Sequence, residues 1–370
     1  MKVLAIVADL SESHLGGAES HFVEVLKRVA PKIESITVFV GPNVPDFPDI
    51  PNIMFRTIKY PHITNLHGLF YILFAAPIAI LESLKYQPDL IWAKQEYPQA
   101  QIGALIKIVT GKPLYITSQN PNLIKEEFSG PLKFFSDLLT PLIAFSFHQA
   151  DVVAAVSSYS ANQARKLGAK KVIIIPNGVD LAKYKIPNTK YRIPKILNLV
   201  TTSSLIPRNG IDILIKSCQL LPIKWQLTIA GDGPEEKSLR QLARGLPVLF
   251  LGRVSNSKIA QLLRQSTIFV RPSRFEGFGS SFIEAMAAGL PIVGTSIGGI
   301  VDFLKDEETG LVVPVDNPEI LAKVIERLAK DRNLYQRLQA NGRRLVKEKY
   351  DWGIVAPKVL RVFRQLIHDK

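Results

Sequence analysis

The sequence predicts an α/β chain built as two doubly wound domains facing each other across a cleft. Short runs rich in branched residues alternate with stretches of helical period, the pattern of strands joined by crossover helices in a largely parallel sheet covered on both faces. The series runs, breaks and then starts again. A chain of 370 residues, 47% of them hydrophobic, is also too long for one ordinary domain and too apolar for disorder.

The first series of strands reads KVLAIVA, ITVFV, IMFRTI, DLIWAK, PLYITS, ADVVAAVS and VIIIP. The second reads ILNLVT, WQLTIA, VLFLG, TIFVRPS, PIVGT and GLVVP, and the chain is helical from there on. The joint falls in the proline-rich, basic stretch YKIPNTKYRIPK. This gives a first domain over residues 1–186, a second over 187–352, and a closing helix over 353–370 that packs back toward the first domain. LHGLFYILFAAPIAIL predicts a helix against the first sheet; its uncharged core, about sixteen residues with Pro77 inside, falls short of the roughly twenty that a spanning helix needs. PLKFFSDLLTPLIAFSF reads as core packing, with a lipid-facing surface as the alternative. The turn-rich GPNVPDFPDIPN, residues 41–52, predicts an exposed loop.

Composition narrows the function classes. The single cysteine, Cys218, cannot make an intramolecular disulfide or a cysteine metal site, which suits a reducing, cytoplasmic setting. MKVLAIVADL reads as a buried first strand rather than a signal peptide. The net charge of +14 lies mostly in the second half and admits a nucleic acid, an anionic membrane face or a phosphorylated substrate. Solvated helix faces such as NGRRLVKEKY account for part of it. Basic runs with interleaved aromatics are absent, so no specific nucleic-acid partner is assigned, and peripheral contact with an anionic membrane remains the alternative to plain solubility. His14 and His21 lie near Glu19 and Glu24, but the spacing fits no zinc pattern and no metal is assigned. His148 reads as structural.

In sheets of this kind ligands lie beyond the carboxyl ends of the strands. Three such loops are glycine-rich: Gly16-Gly17-Ala18-Glu19 after the first strand, Gly231-Asp232-Gly233 after WQLTIA, and RPSRFEGFGSSFIEAMAAGLP after TIFV. Either of the first two alone is equally explained by tight turns. In the third, Gly277, Phe278 and Gly279 let the backbone approach a ligand, and Ser280 and Ser281 open a helix whose amides suit a diphosphate. Glu276 and Glu284 would repel that anion and must face something else; sugar hydroxyls fit, because a carboxylate accepts two hydrogen bonds from a diol. The competing reading of Glu284 is the capping box Ser281-Phe282-Ile283-Glu284, and that of Glu276 is ordinary surface exposure.

The stretch SRFEGFGSSFIEAMAAGLPIV, followed by GTSIGGIVDFL and TGLVVPVD, resembles glycosyltransferase family 4, and AGDGPEE, NGID, QADVVAAVS, PNGVD and GGAE match it more loosely. The resemblance implies the GT-B fold of two Rossmann-like domains, with the acceptor on the first and a UDP- or GDP-type sugar donor on the second. It also implies retention of anomeric configuration without metal or cofactor. Carried over by residue, Glu284 would hold the ribose, Glu276 with the amides of Phe278 and Gly279 the transferred sugar, and Gly16 and Gly17 the diphosphate or acceptor. Gly231 and Gly233 would line the donor loops, and backbone near Arg253 and Val254 would meet the base. The family places two cations ahead of its Lys-Gly or Asn-Gly turn. Here the stretch is SSLIPRNG: Arg208 keeps one charge, while Ser203 or Ser204 stands in the other slot, so Arg253 or Arg274 must substitute. A histidine common after the fifth strand is replaced by Gln119, which can hydrogen-bond a sugar but cannot carry a proton.

The expected activity is therefore transfer of a hexose-type sugar to a glycan or lipid-linked acceptor in cell-surface polysaccharide, lipopolysaccharide or glycolipid synthesis, in the cytoplasm or at the inner face of the membrane. Glu276, Arg208 and Gln119 are the catalytic candidates. A nucleotide-sugar epimerase or phosphorylase on the same fold, or a basic nucleic-acid-binding protein, are the competing readings.

Overall fold

A computed structural model describes residues 1–8, 10, 17–41, 50–60, 67–120, 133–184 and 195–368, with backbone only at 17, 18, 67 and 133–138. The chain divides into two units, Met1–Asn177 with Trp352–Lys370, and Gly178–Asp351.

The first unit carries a seven-stranded parallel sheet of β1 (Lys2–Ile6), β2 (Ser35–Val40), β3 (Ile53–Thr57), β4 (Leu90–Ala93), β5 (Leu114–Ser118), β6 (Val152–Ala155) and β7 (Val172–Ile174). Their order is β3-β2-β1-β4-β5-β6-β7. Its helices are α1 (Gly17–Val29), α2 (His67–Tyr86), α3 (Gln99–Thr110), α4 (Lys133–Gln149) and α5 (Ser158–Lys166). The second unit repeats the plan with β8 (Leu197–Thr202), β9 (Trp225–Ala230), β10 (Val248–Phe250), β11 (Ile268–Arg271), β12 (Ile292–Gly294) and β13 (Leu311–Val312), ordered β10-β9-β8-β11-β12-β13. Helices α6 (Ile211–Gln219), α7 (Glu236–Leu242), α8 (Asn256–Gln265), α9 (Ser280–Ala287), α10 (Pro318–Lys330) and α11 (Arg332–Lys349) cover it, and α12 (Trp352–His368) closes the chain on the first unit. Every paired strand is parallel, as the near-continuous apolar runs require of strands buried on both faces.

In the first unit, α1 and α12 cover one face of the sheet and α2, α3 and α4 the other. Phe363 of α12 stands edge-on between Trp92 (5.4 Å) and Tyr115 (5.0 Å), an arrangement in which each aromatic pair adds about 1 kcal/mol beyond the area it buries. His21 lies beneath the same helix against Trp352; burial holds its imidazole down at about 4, so it is neutral and structural.

Two features of the fold bear on the sequence readings. The boundary falls after Asn177 rather than at residue 186, because the turn Leu181–Tyr184 packs on the second unit, where Arg264 donates to the Lys183 carbonyl. The segment read as too short to span a membrane continues as helix through Glu82 to Tyr86, and over Gly68–Tyr86 it is long and apolar enough to cross one by length and composition. One side packs through Tyr71, Ala75, Ala76 and Ala79; the other leaves Leu69, Leu73, Phe74, Ile78, Leu81 and Leu84 exposed. In α4, Leu139, Ile143 and Phe147 join the core and Phe145 is exposed. Of the loop 41–52, residues 42–49 lie outside the described residues, as do 185–194 of the proline-rich joint.

Candidate functional site

Strand order reverses between β8 and β11, and in a doubly wound sheet the loops leaving such a pair open a crevice. The loop from β11 to α9 begins at Arg271, the last strand residue, buried where the preceding Ile268, Phe269 and Val270 are all core. Its guanidinium makes three bonds: Nη2 to Glu276 Oε2 at 2.6 Å and to Asn209 Oδ1 at 2.7 Å, and Nη1 to Ser281 Oγ at 2.6 Å. The other carboxylate oxygen of Glu276 accepts from the amides of Gly277 (3.1 Å) and Phe278 (3.5 Å). Glu276 is thus neither free surface nor core: both oxygens accept bonds from the protein while 19% of its side chain stays exposed.

Helix α9 has Gly279 as its N cap, at φ 94°, where an L side chain is strained. No side chain caps it. The capping-box reading therefore fails: the cap lies two residues upstream of Ser281, which places Glu284 in the second turn. Burial raises the Glu284 carboxyl to about 7, with Lys183 pulling the other way, and Tyr184 from the turn that carries Lys183 is pushed upward by burial first and by the Glu284 charge second. Phe278 is buried against Phe303 (5.8 Å) and Tyr350 (5.9 Å), which anchors the loop from below.

Glycines explain how the loops come so close. A Cβ on Gly298 would sit 1.9 Å from the Glu276 carbonyl oxygen, and one on Gly299 2.0 Å from that of Gly277; the Gly299 amide donates to the Glu276 carbonyl at 2.9 Å. Gly210 presses equally on Pro272. Gly231 and Gly233, read as donor-lining, face the backbone of Ser203 and Leu205 instead, at 1.8 and 2.4 Å for an added Cβ. Their first task is loop packing.

The cations sort themselves by partner. Arg274 forks onto Asp212 at 2.9 and 2.8 Å and also binds Asp316 at 2.6 Å, and these carboxylates hold its guanidinium firmly charged. Arg253 is exposed and pairs with Asp232, with half-buried Val254 beside it. Of the substitutes expected for the missing cation, Arg274 is therefore already neutralised, while Arg253 holds only an exposed surface pair. Arg208 lies in a 3-10 turn, Pro207–Asn209, whose carbonyl accepts from the amides of Arg274 and Phe275; its charge is close enough to bear on Arg271. Ser204 is exposed, and its carbonyl takes the Asn209 amide at 2.7 Å. Arg271 itself was not among the sequence candidates. The available signal was an ionisable residue ending a strand otherwise apolar.

In the first unit, Gln119 follows β5. Its Oε1 accepts from Asn177 at 3.4 Å, its carbonyl from Ser160 at 2.8 Å, and its Nε2 is buried without a partner. Beside it Glu96 accepts from Ser118 (2.9 Å) and the Asn120 amide (2.6 Å), and burial raises its carboxyl against those bonds. Lys94, fully buried after β4, pairs with Glu19 of α1 at 2.6 Å. Gly17 opens α1; Gly16 and His14 lie outside the described residues. Among the described residues no group of three or more His, Cys, Asp and Glu is placed to hold a metal ion.

Two family models cover most of the chain: Glycosyltransferase Family 4 matches residues 15–183 and Glycosyl transferases group 1 matches residues 190–345. An uncharacterized glycosyltransferase of Methanocaldococcus jannaschii is 26% identical over 99% of both chains. The GDP-mannose-dependent alpha-(1-6)-phosphatidylinositol monomannoside mannosyltransferase of Mycobacterium tuberculosis is 29% identical over 58% of this chain and 62% of that one. Anabaena HepE, solved in complex with UDP-glucose, superposes with a TM-score of 0.79 at 20% identity over 99% of this chain and all of the other. With two doubly wound parallel sheets, one glutamate on the β11–α9 loop and its partner in α9, and both family models in agreement, this chain belongs to glycosyltransferase family 4 and is a glycosyltransferase of the GT-B fold.

Proposed function

We propose that the chain moves a sugar from a UDP- or GDP-sugar to a glycan or lipid-linked acceptor, with retention of anomeric configuration and without a metal. One observation carries this reading: the loop after β11 joins a fixed carboxylate, Glu276, to an uncapped helix start at Gly279, with Glu284 one turn further on. The helix start and Arg208 suit the leaving diphosphate, Glu284 the ribose diol and Glu276 the transferred sugar. As the leaving group departs, charge builds on phosphate oxygens; a positioned donor there is worth about 3 kcal/mol. A departing phosphate oxygen can itself take the acceptor's proton, so no protein base is required in this scheme. Gln119, which cannot carry a proton, is consistent with it.

The acceptor is proposed to be lipid-linked and met at the cytoplasmic face of an anionic membrane. The outer side of α2 supports this: Leu73 is 65% and Leu81 61% exposed, and no charged residue stands between Gly68 and Leu81. The uncharged stretch from Gly68 to Leu81, lying flat, offers about 21 Å of such surface, and a chain carrying +14 is drawn to anionic headgroups.

Thermal-shift screening of UDP- and GDP-sugars with and without EDTA, followed by the anomeric configuration of the product, tests the chemistry. Stabilisation by one sugar nucleotide in EDTA and a retained anomeric centre are expected. An inverted product, or no response to any sugar nucleotide, overturns it. Flotation with anionic and neutral vesicles tests the membrane part separately, and absence from both lipid fractions removes it.

A further inference from the structure

We infer that Arg271 is a positioning residue of the transfer reaction, one guanidinium that ties the Glu276 carboxylate to the Asn209 turn and to the first turn of α9. This rests on the reading of Glu276 as the group that meets the transferred sugar.

The geometry separates Arg271 from its neighbours. Arg274 and Arg253 spend their charge on Asp212, Asp316 and Asp232. Arg271 instead spends it on Glu276, at 2.6 Å. Its planar fork reaches three acceptors that come from three separate loop segments: the 3-10 turn after β8, the loop after β11, and α9. Those segments together form the switch-point end of the sheet. A shift in the guanidinium therefore moves the sugar-facing carboxylate relative to the helix start that suits the diphosphate.

The arrangement is costly if its purpose is only to hold the fold. The side chain is 9% exposed, its Nε is buried with no partner, and the ring of Phe282 lies 5.6 Å from its guanidinium. Desolvating a guanidinium in apolar surroundings costs several kcal/mol, and replacing a buried ion pair by well-packed apolar groups is often neutral or stabilising. A strand end beside Phe269 and Phe282 would accept a methionine at less cost. What methionine cannot do is hold one oxygen of a carboxylate by charge while 19% of that side chain stays open to a ligand.

Lysine keeps the charge but is a single point donor without the fork. Arg271→Lys is expected to lower kcat by about 100-fold, the scale of a displaced reacting group. Binding of UDP or GDP alone, which carries no sugar for Glu276 to meet, should change less than about threefold, well within what one lost neutral contact would cause. The same substitution made on Glu276→Gln should cost little more, because the two side chains act as a unit. Calorimetry with the nucleoside diphosphate, steady-state kinetics with the sugar nucleotide and the four-member cycle are the measurements. Loss of diphosphate binding in step with a fall in Tm would make Arg271 a fold residue only and overturn the inference. So would independent, multiplying effects of the two substitutions, or a wild-type kcat in Arg271→Lys. A wild-type protein that binds no nucleoside diphosphate or sugar nucleotide would instead remove the function on which the inference rests. Arg271→Met/Glu276→Gln gives a control for folding: it is expected to stay folded, with Tm close to wild type and no transfer.

Discussion

The two units share a plan and differ in what they place at the carboxyl ends of their strands. The second presents guanidiniums and carboxylates paired with each other: Arg271 with Glu276, Arg274 with Asp212 and Asp316, Arg253 with Asp232. The first presents amides, hydroxyls and acids kept from water: Gln119, Asn177, Ser160, Ser118 and Glu96, with one buried Lys94–Glu19 pair. Neutral donors and acceptors suit hydroxyls, whereas Arg208 and a helix start suit a departing polyanion. The same fold thus carries two kinds of polarity, and the division of labour between them can be tested residue by residue.

The largest effect is expected at Glu276. Glu276→Ala removes the one carboxylate that the loop holds with a guanidinium and two amides, and should cut both transfer and slow donor hydrolysis by at least about 1,000-fold, roughly 4 kcal/mol of barrier. Circular dichroism should stay near wild type, since Phe278 and the Gly298–Gly299 contact still anchor the loop, while Tm falls because the buried Arg271 guanidinium loses its counter-charge. Unchanged turnover would remove the second unit from the chemistry.

Glu284 sharpens the contrast through pH. Its carboxyl is raised to about 7 by burial, so in the free protein it binds its proton below that pH. A raised acid takes stability away as pH climbs from its ordinary value of 4.5 to about 7, because the folded state holds the proton more tightly than the unfolded one. Only the ionised form accepts both ribose hydroxyls. Donor affinity should therefore weaken by up to about tenfold for each pH unit below 7, and Glu284→Gln should flatten that profile and raise Tm at pH 8. A wild-type profile that is already flat between pH 5.5 and 8 would take the ribose away from Glu284.

Much of this was legible in the sequence. Every strand run named there is a strand; the central ones, such as LIWA and VVAA, are continuously apolar because both their faces are buried, while the edge strand IMFRT is not. The paired glutamates were found for a similar reason: carboxylates interrupting a glycine-rich turn have few uses in packing. Other features hid because their causes lie far along the chain. Arg274 looked available until Asp212, 62 residues away, and Asp316, 42 away, closed on it. Ser281 looked like a cap because local spacing cannot show that Gly279 adopts a positive φ and starts the helix early. Gly231 and Gly233 looked like ligand glycines, yet what approaches them is the backbone of another loop.

The smallest effect is expected in the first unit and decides whether its polarity belongs to the acceptor. Gln119 has one amide oxygen on Asn177 and an Nε2 that is buried without a partner. An orphaned buried donor costs about 1–3 kcal/mol, which an acceptor hydroxyl bonded to it would recover. Gln119→Ala should raise the acceptor KM about fivefold, the worth of one neutral hydrogen bond near 1 kcal/mol, and leave donor hydrolysis and the donor KM within error. Gln119→Glu adds a charge next to Glu96, whose carboxyl burial already raises, and should be worse than alanine at pH 8 and closer to it at pH 5. If instead the donor KM moves and the acceptor KM does not, the amide cluster serves the nucleotide sugar, and the two units do not divide the substrates between cationic and neutral strand ends.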